Sequence, residues 1–81
     1  GLELATIRDA LASVPGVLEV HELHVWAITS GKASLTAHLV LDPSVHDGER
    51  VLQAVTGLLK ERFHIAHSTI QVERANCQPD N

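Results

Sequence analysis

Between Ala33 and Leu41 the chain alternates without a break. Leu35, Ala37, Leu39 and Leu41 fall on one side of an extended backbone, and Ser34, Thr36, His38 and Val40 fall on the other. A period of two this clean predicts a strand with one face against a core and one face open. Just upstream, Ser30-Gly31-Lys32 separates it from a second apolar, β-branched run, Val17 to Thr29, which predicts a hairpin. Everything else must be arranged around that hairpin.

Two helical stripes flank it. Leu4, Ile7, Leu11 and Val14 recur at spacings of three and four, so the first element is an amphipathic helix with Arg8, Asp9 and Ser13 on its wet side. Pro15-Gly16 stops it. Asp42-Pro43-Ser44 ends the alternating strand, and Ser44 or Asp47 is positioned to cap a second helix. Its apolar stripe is Leu52, Val55, Leu58, Leu59 and Phe63. Gly57 inside that helix costs about 1 kcal/mol relative to alanine, and either a close helix–sheet approach or chance alone accounts for it. From His67 to Arg74 the chain alternates again, with Ile70 and Val72 inward and His67, Thr69, Gln71 and Glu73 outward.

The order α-β-β-α-β predicts an α+β layer, ferredoxin-like (metallochaperone-like). Two helices lie on one face of a three-stranded mixed sheet, and the crossover into the third strand is right-handed. Residues 1–74 form this single small domain, and 75–81 read as a flexible polar tail. With 81 residues the core is modest, so a metal or a partner subunit is expected to assist it. Trp26, Ile28 and Val40 fall on the uncovered face, which predicts a partner surface and, most simply, a homodimer.

Composition removes several function classes. Six Lys and Arg against ten Asp and Glu give a net charge of −4, and Trp26 and Phe63 are the only aromatics, so nucleic acid is not an expected partner. A single cysteine, Cys77, excludes an internal disulfide. No run approaches the ~18 apolar residues of a membrane helix, and no signal-peptide pattern is present. No nucleophile elbow, phosphate loop or paired acids suggest catalysis, so an enzyme is not expected.

Histidine is the unusual component, at six of 81 residues. Parity places His38, His67 and Glu73 on the open face. Glu22, His24 and Trp26 join them if the first strand is regular. His21 has the opposite parity, but it lies near the start of its strand, where a bulge redirects side chains. Periodicity therefore nominates a His/Glu cluster and leaves His21 and His24 as alternatives. Imidazoles with a carboxylate suit a borderline ion such as Zn²⁺, and ligands spread over three strands would couple binding to folding or docking. A solvated surface histidine is the ordinary alternative. His46, in a loop, and His64, at a helix end, fit solvated or capping roles better than ligand roles. Cys77 is a spectator thiol or a thiolate reaching a metal from the tail.

The run Val17-Leu18-Glu19-Val20-His21-Glu22-Leu23-His24-Val25-Trp26 after Pro15-Gly16 resembles the "PGV…VH-x-LH-[VI]-W" signature of cation diffusion facilitator transporters. Ala37-His38-Leu39-Val40 and His67-Ser68-Thr69-Ile70-Gln71-Val72-Glu73 extend the resemblance from about residue 2 to residue 74. It is greatest to the CzcD-like branch that exports zinc, cobalt and cadmium, and vertebrate vesicular zinc transporters are similar. The resemblance implies the soluble domain of an integral membrane transporter that exchanges divalent cations for protons. That domain lies on the cytoplasmic side of the inner cell membrane, is attached to a transmembrane domain, and dimerises and closes on metal. It also implies metal ligands at His21, His38, His67 and Glu73, with Zn²⁺, Cd²⁺, Co²⁺ or Ni²⁺ as the ion, and so selects His21 over His24. Some members add a ligand from the second helix or a cysteine pair after the last strand; here only His46 and Cys77 stand near those places. The rival readings are a structural dimerisation module with a vestigial site and a small-ligand regulatory domain of similar topology.

Overall fold

The computed structural model describes residues 3–29 and 31–75. Its elements run α1 (Leu4–Ala12), β1 (Val17–Thr29), β2 (Lys32–Leu41), α2 (Gly48–Phe63) and β3 (His67–Arg74). The sheet order is β1-β2-β3, with β1 antiparallel and β3 parallel to the central β2. This is the expected mixed sheet. Ile7 and Leu11 of α1 and Val55 and Leu59 of α2 share one core with Leu35, Leu39 and Leu41 of β2, so both helices cover the same face. Cys77 lies outside the described residues.

β2 behaves as its alternation demands: Leu35, Ala37, Leu39 and Leu41 are buried and the residues between them are half-buried. β1 does not. It spends 13 residues against the 10 of β2. Three register shifts absorb the excess, between Val17 and Glu19, between His21 and His24, and between Ala27 and Thr29. Each adds one residue to β1, as a β-bulge does. The buried residues of β1 are accordingly Val17, Val20 and Leu23, a spacing of three that no regular strand shows. Glu22, in the middle shift, has φ 53°, which lies in the left-handed region.

Local chemistry explains the joints. Gly16 has φ 98°, and a Cβ there would meet Val45 Cγ2 at 3.0 Å and Val51 Cγ2 at 3.1 Å, so both backbone and space require glycine. Its carbonyl accepts the Asp42 N–H at 2.8 Å, tying the α1–β1 turn to the end of β2. Asp47 rather than Ser44 caps α2, accepting the Arg50 N–H at 3.3 Å. Ser44 instead donates to Asp42 Oδ1 through its N–H (2.8 Å) and its hydroxyl (2.7 Å). These two bonds, the backbone one first, hold the Asp42 carboxyl below the usual carboxylate range. His64 ends α2 in the left-handed conformation (φ 59°), and the next N–H, that of Ile65, donates to the Leu59 carbonyl.

Four sequence expectations need correction. Gly57 has open space where a Cβ would sit, so no close helix–sheet approach requires it. Leu4, expected in the buried stripe of α1, is 45% exposed, because it stands at the helix start beyond the sheet's cover. Val72 is 36% exposed, since β3 is an edge strand over which the helix layer thins. In α2 the buried stripe is Val51, Val55 and Leu59, while Leu52, Leu58 and Phe63 are half-buried at its margins.

Candidate metal centre

The strand register sets the open face out in rows. Glu19, Val40 and Glu73 form one row across β1, β2 and β3. His21, His38 and Gln71 form the next, His24, Thr36 and Thr69 the third, and Trp26, Ser34 and His67 the fourth. The bulge between His21 and His24 therefore resolves their rivalry in an unanticipated way. By register both lie on the open face, because one extra residue between them restores the phase that a spacing of three would have broken.

His21 and His38 are direct cross-strand partners, for which Cβ atoms stand about 4.5–5.5 Å apart. His38 Nδ1 lies 3.4 Å from Glu73 Oε2. His21 Nε2 contacts Glu19 Oε1 at 2.7 Å, a partner the sequence pattern did not single out. Glu19 was hidden by the first bulge, at Leu18, which shifts it into the row of Val40 and Glu73. Each imidazole thus has a carboxylate beside it, on half-exposed side chains. The adjoining hollow of about 210 Å³ is lined by Glu22, His24, His38, Thr69 and Gln71 among others. Glu22 reaches it through its left-handed backbone.

His67 stands elsewhere. Its partner is Ser34, four residues along β2 from His38, or roughly 13 Å at the rise of a strand. The structure brings His21, His38 and Glu73 together and leaves His67 near the hairpin, so one ion cannot be held by all four within one chain. Among the described residues no three His, Cys, Asp or Glu side chains already converge as a cage. His21 turns to Glu19 rather than toward His38, and an ion between the two imidazoles would require that side chain to rotate. His46 and His64 are exposed and belong to no such row.

The description "Cation efflux protein, cytoplasmic domain" matches residues 1–75. The chain belongs to the cation efflux protein family, as its cytoplasmic domain. Its sequence is 44% identical over 77 residues to the metal cation efflux system protein CzcD of Cupriavidus metallidurans, covering 95% of this chain and 24% of that protein. It is 46% identical over 68 residues to the probable proton-coupled zinc antiporter SLC30A3 of Bos taurus, covering 84% of this chain and 17% of that one. This chain therefore spans about a quarter or less of the curated relatives it matches. The solved metal-bound C-terminal domain of the Cupriavidus CzcD transporter superposes with a TM-score of 0.82 at 44% identity, over 89% of this chain and 99% of that one. A cadmium form of a MamM C-terminal domain superposes at 0.75 with 20% identity, which speaks for the fold alone. The family is one of transporter domains, not of enzymes. Among the described residues no helix is long and apolar enough to cross a membrane.

Proposed function

We propose that this domain senses divalent metal and dimerises on the cytoplasmic side of a proton-coupled, zinc-type efflux transporter, and that metal favours a closed dimer and so regulates transport. The observation that carries the reading is the His21–His38 cross-strand pair with Glu73 against His38. Two imidazoles and a carboxylate are a suitable set for Zn²⁺, and the same set accepts Cd²⁺, Co²⁺ or Ni²⁺. The identity to CzcD, itself solved metal-bound, supports it. An ion here would stand on a face that no helix covers, where a second copy can complete its coordination. Closure then follows from a higher affinity of the closed state for the ion. His67 enters the site only from such a second copy or not at all.

Neutral imidazole is the ligand form, so protons compete with the metal and acidification should weaken binding. The deciding experiment is a calorimetric zinc titration with sedimentation at each point, on wild type and on His38→Ala. Saturable binding that is lost in the variant, with a more compact dimer at saturation, is expected. A dimer of constant shape without saturable heat would leave a structural dimerisation module. One observation favours that second reading: His21 is already engaged with Glu19, and no ready-made cage exists among the described residues.

A further inference from the structure

The opposite end of the sheet has different chemistry. Past Val25, β1 has no buried residue. Trp26 is 47% and Ile28 53% exposed. An open groove of about 770 Å³ runs there between the hairpin, the start of α1 and the end of α2, lined by Leu4, Val25, Trp26, Lys32, Phe63 and His64 among others. Its rim is basic. Lys60 and Arg62 occupy the last turn of α2, and the Arg62 guanidinium lies 5.3 Å over the Phe63 ring. Among the described residues Lys32, Lys60 and Arg62 are in no ion pair.

Charge divides along the molecule accordingly. The hairpin end carries Lys32, Lys60 and Arg62 against Glu3 and Glu61, a net of +1 (three minus two). The far end carries Glu19, Asp42, Asp47, Glu49 and Glu73 against Arg50 and Arg74, a net of −3 (two minus five). In an acidic chain, the only tryptophan and half the Lys and Arg residues gather where the apolar surface is exposed.

We infer that the hairpin end seats on an anionic lipid surface, with Trp26 and Ile28 at headgroup level and Lys32, Lys60 and Arg62 against the acidic headgroups. Indole is favoured at that depth because its ring is apolar and its N–H is satisfied in the polar layer. Basic residues beside it add attraction to an anionic leaflet. The acidic far end is repelled by the same surface, so one orientation is selected. The inference rests on the reading that the domain hangs from a membrane part. In CzcD the matched segment is the C-terminal domain, so preceding chain reaches it at the start of α1, where Leu4 here lines the groove. A tether at that point supplies millimolar effective concentration, so weak affinity suffices.

The CzcD domain was solved as a chain of this size, so the domain folds without the membrane part. With one Trp and no Tyr, emission reports Trp26 alone. The experiment titrates the domain with phosphatidylcholine vesicles containing 30% phosphatidylserine, up to several millimolar lipid, and with vesicles of phosphatidylcholine only. A blue shift, quenching by brominated lipid and co-sedimentation are expected with the anionic vesicles. Lys32→Ser should weaken binding about fivefold, and Ile28→Asp should remove it, both with unchanged far-UV dichroism. Emission indifferent to lipid would overturn the inference, as would equal binding to both vesicle types. A blue shift that grows with protein concentration alone and ignores lipid would assign the face to a second copy and also overturn it. Zinc titration of the same samples reads the proposed metal site separately, so either idea can fail without the other.

Discussion

The two ends of β1 are built from the same hairpin and behave differently. At the Val17–Leu23 end three apolar residues are driven into a core beneath α1, and the bulges turn Glu19, His21 and His24 outward beside β2. At the Val25–Thr29 end no residue of β1 is fully buried: Val25 packs half-buried against the core, and Trp26 and Ile28 are exposed. The first end has a rigid floor with polar groups on it, which suits a site needing fixed ligand positions. The second has exposed apolar side chains over a thinner floor, which suits a contact. The helices cover only part of the sheet's length, and that limit decides which end receives which role.

The largest effect should come from the floor. Leu39→Ala, beneath the His38 and Val40 rows, is expected to cost about 2–5 kcal/mol. Val25→Ala, half-buried near the hairpin, should cost only about 1 kcal/mol from two partly covered methyl groups. Urea unfolding of both variants measures the difference, and equal losses would erase the contrast between the ends.

Next come the histidines. His38→Ala should cost zinc affinity more than the roughly 10–100-fold typical of losing an outer-shell partner. His67→Ala, on the hairpin row, should leave affinity within about twofold, inside the noise of unrelated surface changes. A large loss in His67→Ala would show that a second copy joins the site across the dimer. The glycines give a smaller and opposite pair. Gly16→Ala should destabilise by about 1–3 kcal/mol through its strained φ and the crowding by Val45 and Val51. Gly57→Ala, with open space for its methyl group, should stabilise by about 0.5–1 kcal/mol in a thermal melt.

The smallest effect concerns acid. Because Ser44 holds the exposed Asp42 carboxyl below its usual range, that carboxylate stabilises the fold at neutral pH. The contribution is lost as pH falls through the folded-state value. Ser44→Ala should therefore melt slightly earlier than wild type at neutral pH and indistinguishably in strong acid. A gap that widened on acidification would reverse the sign and remove the assignment.

Where one period held, the sequence was readable. β2 alternates over its whole length because it is central, paired on both sides and covered on one face, and each of its residues lies where parity put it. The helix caps and the Pro15-Gly16 stop were also legible, since they depend on neighbours in sequence. The site was only half legible. His38, Glu73 and His24 followed from alternation, but Glu19 and His21 did not, because three bulges in β1 are set by tertiary fit and leave no residue-level mark. The resemblance to cation diffusion facilitators supplied His21, where parity opposed it. His67 falls on the face that parity gave it, but its row could not be read. Parity tells which face a residue takes but not its position along the neighbouring strand, and the parallel register of β3 is fixed by the length of α2 and its loops.

The bulge at Glu22 carries one more consequence. Deleting that single residue would take out the extra member of the two-against-one pairing, so His21 and His24 would stand two apart on a regular ladder and both still face outward. The wiring of this surface is thus set by a count as well as by an alphabet, and this residue is the one whose codon the count can spare.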